Sequence, residues 1–284
     1  MKNPLAKIIV FAAAMSLLVS VFGQSLTIKG SDTLLGLSQK WAEAYKAQHP
    51  EAVIQVAGGG AAAAFAALAD KKLDIVLVSR SIRYKEADSC VSGFGQRPPE
   101  YKVAVSGLAV YVNVSNSVTT LTYDELFSIY SGQRKNWKEF DGGETMDISV
   151  YTQATNSIHG ELFNEEVLAG KVTSIETTQL PNPDLLKAIA SDPKGIGYGA
   201  LTQFDGVRPV SIKRVFSSKP MLPSETTITN RTYPISRFVY CYVSPTANQA
   251  EAKAYLDWIR SDAGQQIAKK AGFFPTAAKW RTTP

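Results

Sequence analysis

The sequence has little of the chemistry that metal sites and disulfide scaffolds need. Among its 284 residues are two cysteines and two histidines, scattered along the chain, so no metal-ligand spacing is present and we expect no metal and no cofactor. Charge of one sign is also scarce, because 30 Lys and Arg against 25 Asp and Glu give a formal net charge of +5. That surplus is too small to favour a nucleic acid or a membrane surface as a partner.

A nucleophile with a matching base is also missing. Ser157 and His159 are the nearest approach to such a pair, but residues two apart in a loop rarely make a catalytic hydrogen bond. We therefore expect a binding protein and not an enzyme.

The one long apolar run lies at the N-terminus. Lys2 and Lys7 precede the apolar residues 8–22, and Gly23 follows them. The run is short for a membrane span, which needs about 20 apolar residues, so the pattern predicts a cleaved signal peptide over residues 1–23. We expect a periplasmic or secreted protein with no membrane insertion after cleavage; an uncleaved anchor is the alternative.

The two cysteines leave two states open. Cys90 falls in a Gly- and Pro-rich stretch, 89–99, that we predict to be a loop, and Cys241 falls in a predicted strand. An exported compartment permits a disulfide between them, but residues so far apart in sequence cannot be shown to meet. Two unlinked thiols are equally compatible with the sequence.

Strand-like and helix-like segments alternate, which predicts an α/β fold. The strands SLTIKG, AVIQVA and LDIVLVS are separated by helices over 31–50 and 61–69. This βαβαβ order favours a buried parallel sheet.

A second βα block follows, and two strand-like runs bracket it, one ending near Asn113 and the other starting near Tyr233. If both runs are crossovers, the chain leaves a first lobe, builds a second and returns, which gives a hinged cleft. The predicted limits are 24–109 plus 238–284 for the first lobe and 110–237 for the second.

Candidate ligand groups follow the strands of the first lobe, since open parallel sheets bind ligands at the carboxyl ends of their strands. The candidates are Ser31, Asp32, Thr33, Gly60, Ala61, Ser79 and Arg80. Helix capping is the simpler role for Ser31 or Asp32. Arg80 ends a strand that should be buried and needs a partner, which is either an anion or Asp32.

Taken together, the segments resemble the phosphate-binding proteins of ABC transporters, which have the type II periplasmic-binding-protein fold. The resemblance covers nearly all of the mature chain and rests on the order and spacing of IKGSDTLLGLSQKWAEAY, GGG leading to ALADKKLDIVLVSRSIRYKE, LTYDELFSIYSGQRKNWKEF, AIASDPKGIGYGAL, YPISRFVYCYVS and YLDWIRSDAGQQIAKKAGFFP. It implies a two-lobe α/β monomer with two hinge strands, which binds phosphate or a related small anion and delivers it to an ABC permease.

In that family, phosphate is held by backbone N–H groups, hydroxyls and an arginine. The resemblance places the first-lobe candidates in the family's binding turns and adds a turn from the second lobe, with Gln153, Ser157 and His159. His159 has two readings, either a capping or surface histidine or a donor to the ligand that titrates near neutral pH.

Two of these turns depart from the family pattern. The usual G-G-G-S-G-T-G is GGGAAAA at 58–64, and R-D-x-x-S-G-T is QATNSIH at 153–159, so two hydroxyls, an arginine, a glycine and a threonine are replaced. At about 1.5–3 kcal/mol for a charge-assisted hydrogen bond and half that for a neutral one, phosphate affinity should fall by about three orders of magnitude or more without compensation. A protonated His159 is one hypothesis for compensation. The alternative function is a sensor or partner-binding module that has lost phosphate affinity.

Overall fold

The computed structural model describes residues 25–171, 177–247 and 249–281, so the predicted signal peptide, 1–23, lies outside the described residues. The strands are β1 (Ser25–Gly30), β2 (Val53–Ala57), β3 (Ile75–Val78), β4 (Glu100–Gly107), β5 (Ala109–Asn113), β6 (Thr120–Thr122), β7 (Ser149–Thr152), β8 (Thr178–Gln179), β9 (Gly195–Gly199), β10 (Val207–Pro209), β11 (Ser211–Lys213) and β12 (Ser236–Val243). The α-helices are α1 (Leu35–Gln48), α2 (Ala61–Ala69), α3 (Tyr84–Phe94), α4 (Tyr123–Tyr130), α5 (Ile158–Glu166), α6 (Asn182–Ser191), α7 (Glu225–Thr229), α8 (Gln249–Arg260), α9 (Asp262–Lys270) and α10 (Ala278–Arg281).

The first sheet contains the βαβαβ unit that the sequence predicts. Its strand order is β2-β1-β3-β12-β4, with β1 parallel to both β2 and β3. β12 runs antiparallel to β3 and β4. The carboxyl ends of β1, β2 and β3 therefore lie at one edge, where such sheets bind their ligands.

The second sheet is built from the middle of the chain, in the order β10-β5-β9-β7-β8. β7 is parallel to β8 and β9, while β5 is antiparallel to β9 and β10. A small separate sheet pairs β11 with β6. The segment after β7 carries the predicted second-lobe turn.

The chain passes between the two large sheets twice. The strand-like run over 101–113, predicted to be broken at Ser106-Gly107, forms β4 and β5, which belong to different sheets and are separated by Leu108. The Leu108 N–H donates to the carbonyl of Ile235, 3.4 Å away, just before β12 returns to the first sheet. The two crossings thus lie side by side, and the predicted lobe limits, 24–109 with 238–284 and 110–237, stay a prediction.

The predicted loop over residues 89–99 is wrong for its first half. α3 continues to Phe94 and ends at Gly95, whose φ is +76°. The helix begins with a local hydrogen bond, because Glu86 accepts from the Arg83 N–H at 2.8 Å, and this capping outweighs the Gly- and Ser-rich composition. Cys90 is consequently a buried helix residue.

Both cysteines are free and buried, so the unlinked alternative describes this structure. Burial raises the pKa of the Cys241 thiol to about 12 and also raises that of Cys90. Because the thiolate is the reactive form, neither thiol is poised for exchange at neutral pH.

Each large sheet packs its own apolar core. Trp41, Leu77 and Tyr255 are buried in the core of the first sheet, and Trp137 and Phe163 are buried in that of the second. Among the described residues, no helix has both the length and the apolar character needed to cross a membrane.

Replacing Trp41 by Phe should lower the free energy of unfolding by about 2–3 kcal/mol. The Trp41 indole is fully buried and its N–H donates to the Gly264 carbonyl at 2.7 Å, so the change removes a buried hydrogen bond and leaves a small void. Urea unfolding measures the loss. Trp258→Phe is the control, since the half-buried Trp258 donates to Gln48 at an exposed position and should cost less than about 1 kcal/mol. Equal losses for the two variants would contradict the assignment.

Candidate functional site

Ser31 lies in the turn after β1. Ser31 is 8% exposed, and its N–H donates to the Leu77 carbonyl on β3 at 3.1 Å. It occupies the N-cap position of a short 3₁₀ helix, Asp32–Leu34, but makes no side-chain capping bond. The predicted capping role of Ser31 is therefore not fulfilled.

The Gly58–Gly60 turn is held by Asp32. The carboxylate of Asp32 accepts from the Gly59 N–H at 2.7 Å, and a Cβ on Gly58 would lie 2.3 Å from the same oxygen. Gly59 and Gly60 have φ of +108° and +84°, which side chains rarely tolerate. Asp32 thus does not cap its own helix; it shapes the neighbouring turn, in which Gly58 leaves room for its carboxylate and Gly59 and Gly60 supply the positive φ.

Arg80 is already paired, and its partner is Glu86. The two guanidinium Nη atoms donate to the two carboxylate oxygens at 2.8 and 2.6 Å, a bidentate geometry. Burial tends to raise the pKa of Glu86, but hydrogen bonds from Arg80 and the Arg83 N–H outweigh it and lower that pKa. Asp32, one of the two partners considered from the sequence, bonds to Gly59 and not to Arg80; an anion as a further partner stays a prediction.

The strand ends converge on a cavity of about 290 Å³ between the two sheets. This volume lies near the lower end of the range for small-molecule sites, ~300–1,000 Å³. The residues around it are Ser31, Asp32, Thr33, Gly60, Ala61, Ser79 and Arg80 from the first lobe and Asn156, Glu161 and Glu165 from the other side. The structure therefore brings every first-lobe candidate around one cavity; that they contact a ligand stays a prediction.

Two second-lobe candidates lie elsewhere. Gln153 is buried, and its amide donates to Asn182 Oδ1 and to the Tyr198 carbonyl, each at 3.1 Å. Ser157 caps α5 by accepting from the Gly160 N–H at 3.0 Å. Both residues line a separate cavity of about 370 Å³ and not the one that holds the first-lobe candidates. The Gln153 side chain, at the position where the family has arginine, thus uses its amide donors for hydrogen bonds within its own lobe.

His159 does not supply a positive charge. The residue is half-buried in α5, and burial lowers the pKa of its imidazole to about 4 with no acidic partner to offset it. The ring is therefore neutral at physiological pH. The lowered pKa argues against the hypothesis that a protonated His159 compensates for the missing arginine, and contact of His159 with a ligand stays a prediction.

Three charged residues at the cavity were missed in the sequence. Ser79 Oγ donates to Glu161 at 2.9 Å, and Arg237 on β12 pairs with both Glu161, at 2.8 Å, and Glu165. The Arg237 side chain is 9% exposed. Arg237 could have been singled out from the sequence because it interrupts the otherwise apolar run YPISRFVYCYVS. Like Arg80, an arginine in a strand that should be buried needs a partner.

Over residues 25–171, 177–247 and 249–281, no group of three or more His, Cys, Asp or Glu side chains is arranged to hold a metal ion.

Comparison with known proteins gives one family and several relatives. The PBP superfamily domain matches residues 22–263. The chain is 30% identical over 276 residues to the phosphate-binding protein PstS of Pseudomonas aeruginosa, covering 90% of this chain and 84% of the relative. It is also 28% identical to the protein SphX of Synechococcus elongatus, over 89% of this chain and 78% of that protein.

Solved structures give the same fold. A possible phosphate-binding protein from Planctomyces limnophilus superposes with a TM-score of 0.79 at 24% identity, covering 92% of this chain and 95% of that one. An ABC-type phosphate transport receptor from Vibrio cholerae superposes with a TM-score of 0.71 at 24% identity, covering 88% and 99%. The α/β two-lobe fold predicted from the sequence is confirmed.

His159 should make the protein less stable in mild acid. Its pKa is about 4 in the folded chain and about 6.5 when unfolded, so the unfolded chain binds more protons between these values. The stabilisation is complete above about pH 6.5 and is lost as the pH falls toward 4. Melting temperatures between about pH 7.5 and about pH 4.5 should therefore fall more steeply for the unaltered protein than for His159→Asn. His49→Asn, which changes a partly exposed histidine, should follow the unaltered protein; parallel curves for all three would refute the assignment.

Proposed function

Because the chain belongs to the PBP superfamily and, within it, to the PstS-like phosphate-binding proteins, we propose that it is an exported substrate-binding protein which holds phosphate or a related small oxyanion between its lobes. The observation that carries the proposal is the convergence on one cavity of Ser31 and Thr33, which follow β1, and Arg80, which follows β3. Hydroxyls and a guanidinium are the donors that an oxyanion requires.

Arg80 keeps donors for such a ligand. A guanidinium has five N–H donors, and the Glu86 carboxylate with the Ser81 carbonyl take three of them. Two remain for an anion in the cavity that Arg80 lines. The ion pair with Glu86 holds the guanidinium in place, so little side-chain entropy is lost when the anion binds.

The backbone contributes through the start of α2. The Gly59 and Gly60 N–H groups are used within the fold, by Asp32 and by the Gly30 carbonyl. The first-turn amides that begin at Ala61 are left to face the cavity, and they add the positive end of the helix dipole. Because Ala61 to Ala64 offer no hydroxyls, we expect an affinity below that of family members with the full turn.

The cellular role follows from the relatives and from the N-terminal pattern. The protein is proposed to be periplasmic or secreted, to act as a monomer and to deliver its ligand to an ABC permease, as the Vibrio cholerae relative's description as an ABC-type transport receptor suggests. The names of the relatives give no support to the alternative of a partner-binding module.

Phosphate, arsenate or sulfate at millimolar concentration should raise the melting temperature of the protein, since a ligand that binds only the folded state stabilises it by mass action. The double variant Arg80→Ala/Glu86→Ala should lose the shift; it removes the guanidinium without leaving an unpaired carboxylate. Thermal-shift assays and calorimetric titration measure both effects.

The matched control is Arg83→Ala, which removes the same charge from an exposed side chain three residues away. It should keep the full shift. A shift that survives in the double variant, or the absence of any shift with all three oxyanions in the unaltered protein, would count against the proposed site.

A further inference from the structure

We propose that Glu161 is an intramolecular competitor for the oxyanion, so that its carboxylate must be displaced before the ligand can use Ser79. The inference rests on the proposed function, and it names the residue that sets the affinity of that site. It starts from the hydrogen bond between Ser79 Oγ and Glu161 Oε1, 2.9 Å long, which joins residues 82 positions apart in the sequence.

The Ser79 hydroxyl is unavailable to a ligand while this bond lasts. A hydroxyl has a single proton to donate, and the Ser79 proton goes to Glu161. Ser79 is 4% exposed, so water offers it little alternative. Any oxyanion that takes this donor must first break the bond to Glu161.

Glu161 is itself bound as an anionic ligand would be. Its carboxylate comes from α5, on the opposite side of the cavity, and receives the Ser79 hydroxyl and the guanidinium of Arg237, both from the first-sheet side. The Glu161 side chain is 23% exposed and that of Arg237 is 9% exposed. A hydroxyl and a guanidinium on a half-buried carboxylate are the same contacts that a bound oxyanion would make.

The negative charge of the side chains around the cavity also disfavours an anion beside Glu161. Asp32, Glu161 and Glu165 line the cavity, and both nearby arginines are already paired, Arg80 with Glu86 and Arg237 with Glu161 and Glu165. The four carboxylates outnumber the two guanidinium groups, and like charges in close contact within a partly dry site repel each other strongly. A doubly charged anion beside Glu161 is therefore disfavoured unless that carboxylate moves or loses its charge.

The same residue also joins α5 to the first sheet. Ile158, three residues before Glu161 on α5, packs against the apolar core of the first sheet. Residues three apart share one face of a helix, so an apolar contact and an ionic contact both hold α5 against the first lobe. Displacing Glu161 should consequently loosen the closed arrangement as well as free the donor.

The test is the phosphate affinity of Glu161→Gln, measured by calorimetric titration at a fixed pH near 7.5. The amide keeps the shape of the side chain and still accepts from Ser79, but it removes the charge. Phosphate should bind at least about tenfold more tightly than to the unaltered protein.

Two control variants separate the specific contact from a general charge effect. Glu165→Gln removes a charge from the same cavity and the same Arg237 without touching Ser79, so it should change the affinity by less than about threefold. Glu144→Gln removes a charge from an exposed position away from the cavity and should change nothing.

A second measurement covers the case in which Glu161→Gln fails to fold. Glu161→Asp shortens the side chain and withdraws the carboxylate from Ser79 while keeping the charge, and the ligand-free variant should show a larger radius of gyration in solution X-ray scattering. An unchanged radius in every folded Glu161 variant would overturn the proposal.

The outcomes also separate this inference from the proposed function. If the unaltered protein binds phosphate and Glu161→Gln binds it no more than about threefold more tightly, the inference is wrong and the function stands. If neither protein binds phosphate, arsenate or sulfate, both fall. A gain of similar size in Glu165→Gln would show a general charge effect and would also overturn the role of Glu161.

Discussion

The close approach of β1 to β3 at their carboxyl ends is the constraint on which the site depends. A Cβ on Gly30 would lie 1.7 Å from the Leu77 carbonyl oxygen, so no side chain fits there. The contact lets the Ser31 N–H reach that carbonyl, and it lets the Gly60 N–H reach the Gly30 carbonyl. The turns after β1 and β2 are thereby fastened together, and Ser31, Ala61 and Ser79 come to line one cavity. The function proposed for the chain requires this convergence, because one turn alone offers too few donors for a small anion.

Charge pairing around that cavity is the second determinant. Both arginines at the site, Arg80 and Arg237, are engaged by carboxylates: one by Glu86, within the same lobe, and the other by Glu161 and Glu165, across the cavity. The Glu86 carboxylate orients the Arg80 guanidinium and leaves some of its N–H donors free. Glu161 and Glu165, in contrast, occupy the Arg237 guanidinium with carboxylates of the protein itself. Removing one partner of such a half-buried pair leaves the other charge uncompensated. Ligand binding and the internal ion pairs are therefore linked in this site.

The sequence predicted the parts of the structure that depend on local pattern. We could predict the βαβαβ unit, the turns after its strands and the candidate residues from Ser31 to Arg80. Alternating strand-like and helix-like segments, glycines and strand ends are all visible in residues that are close in sequence. Contacts between distant residues could not be read in this way. The bond from Ser79 to Glu161 and the burial of Gln153 against Tyr198 depend on how the two sheets and their helices are placed. The Arg80 to Glu86 pair is closer in sequence, but no element was predicted for residues 81–88, and only the helix starting at Tyr84 brings Glu86 back to Arg80.

The substitutions in the second-lobe turn act together when the structure is considered. Where the family has an arginine and a glycine, this chain has Gln153, which bonds to its own lobe, and Ile158, which packs on the other lobe. The arginine would have drawn an anion to this turn, and the glycine would have let the backbone approach it. With both replaced, Ile158 packs on the first core and Glu161 bonds to Ser79 and Arg237. The proposed function then places most of the ligand recognition on the first lobe, at Ser31, Thr33 and Arg80. A substitution in α5 can then alter the affinity for the proposed ligand without changing any hydrogen-bond donor. It changes the free energy needed to break the bond between Glu161 and Ser79, which the ligand is proposed to displace.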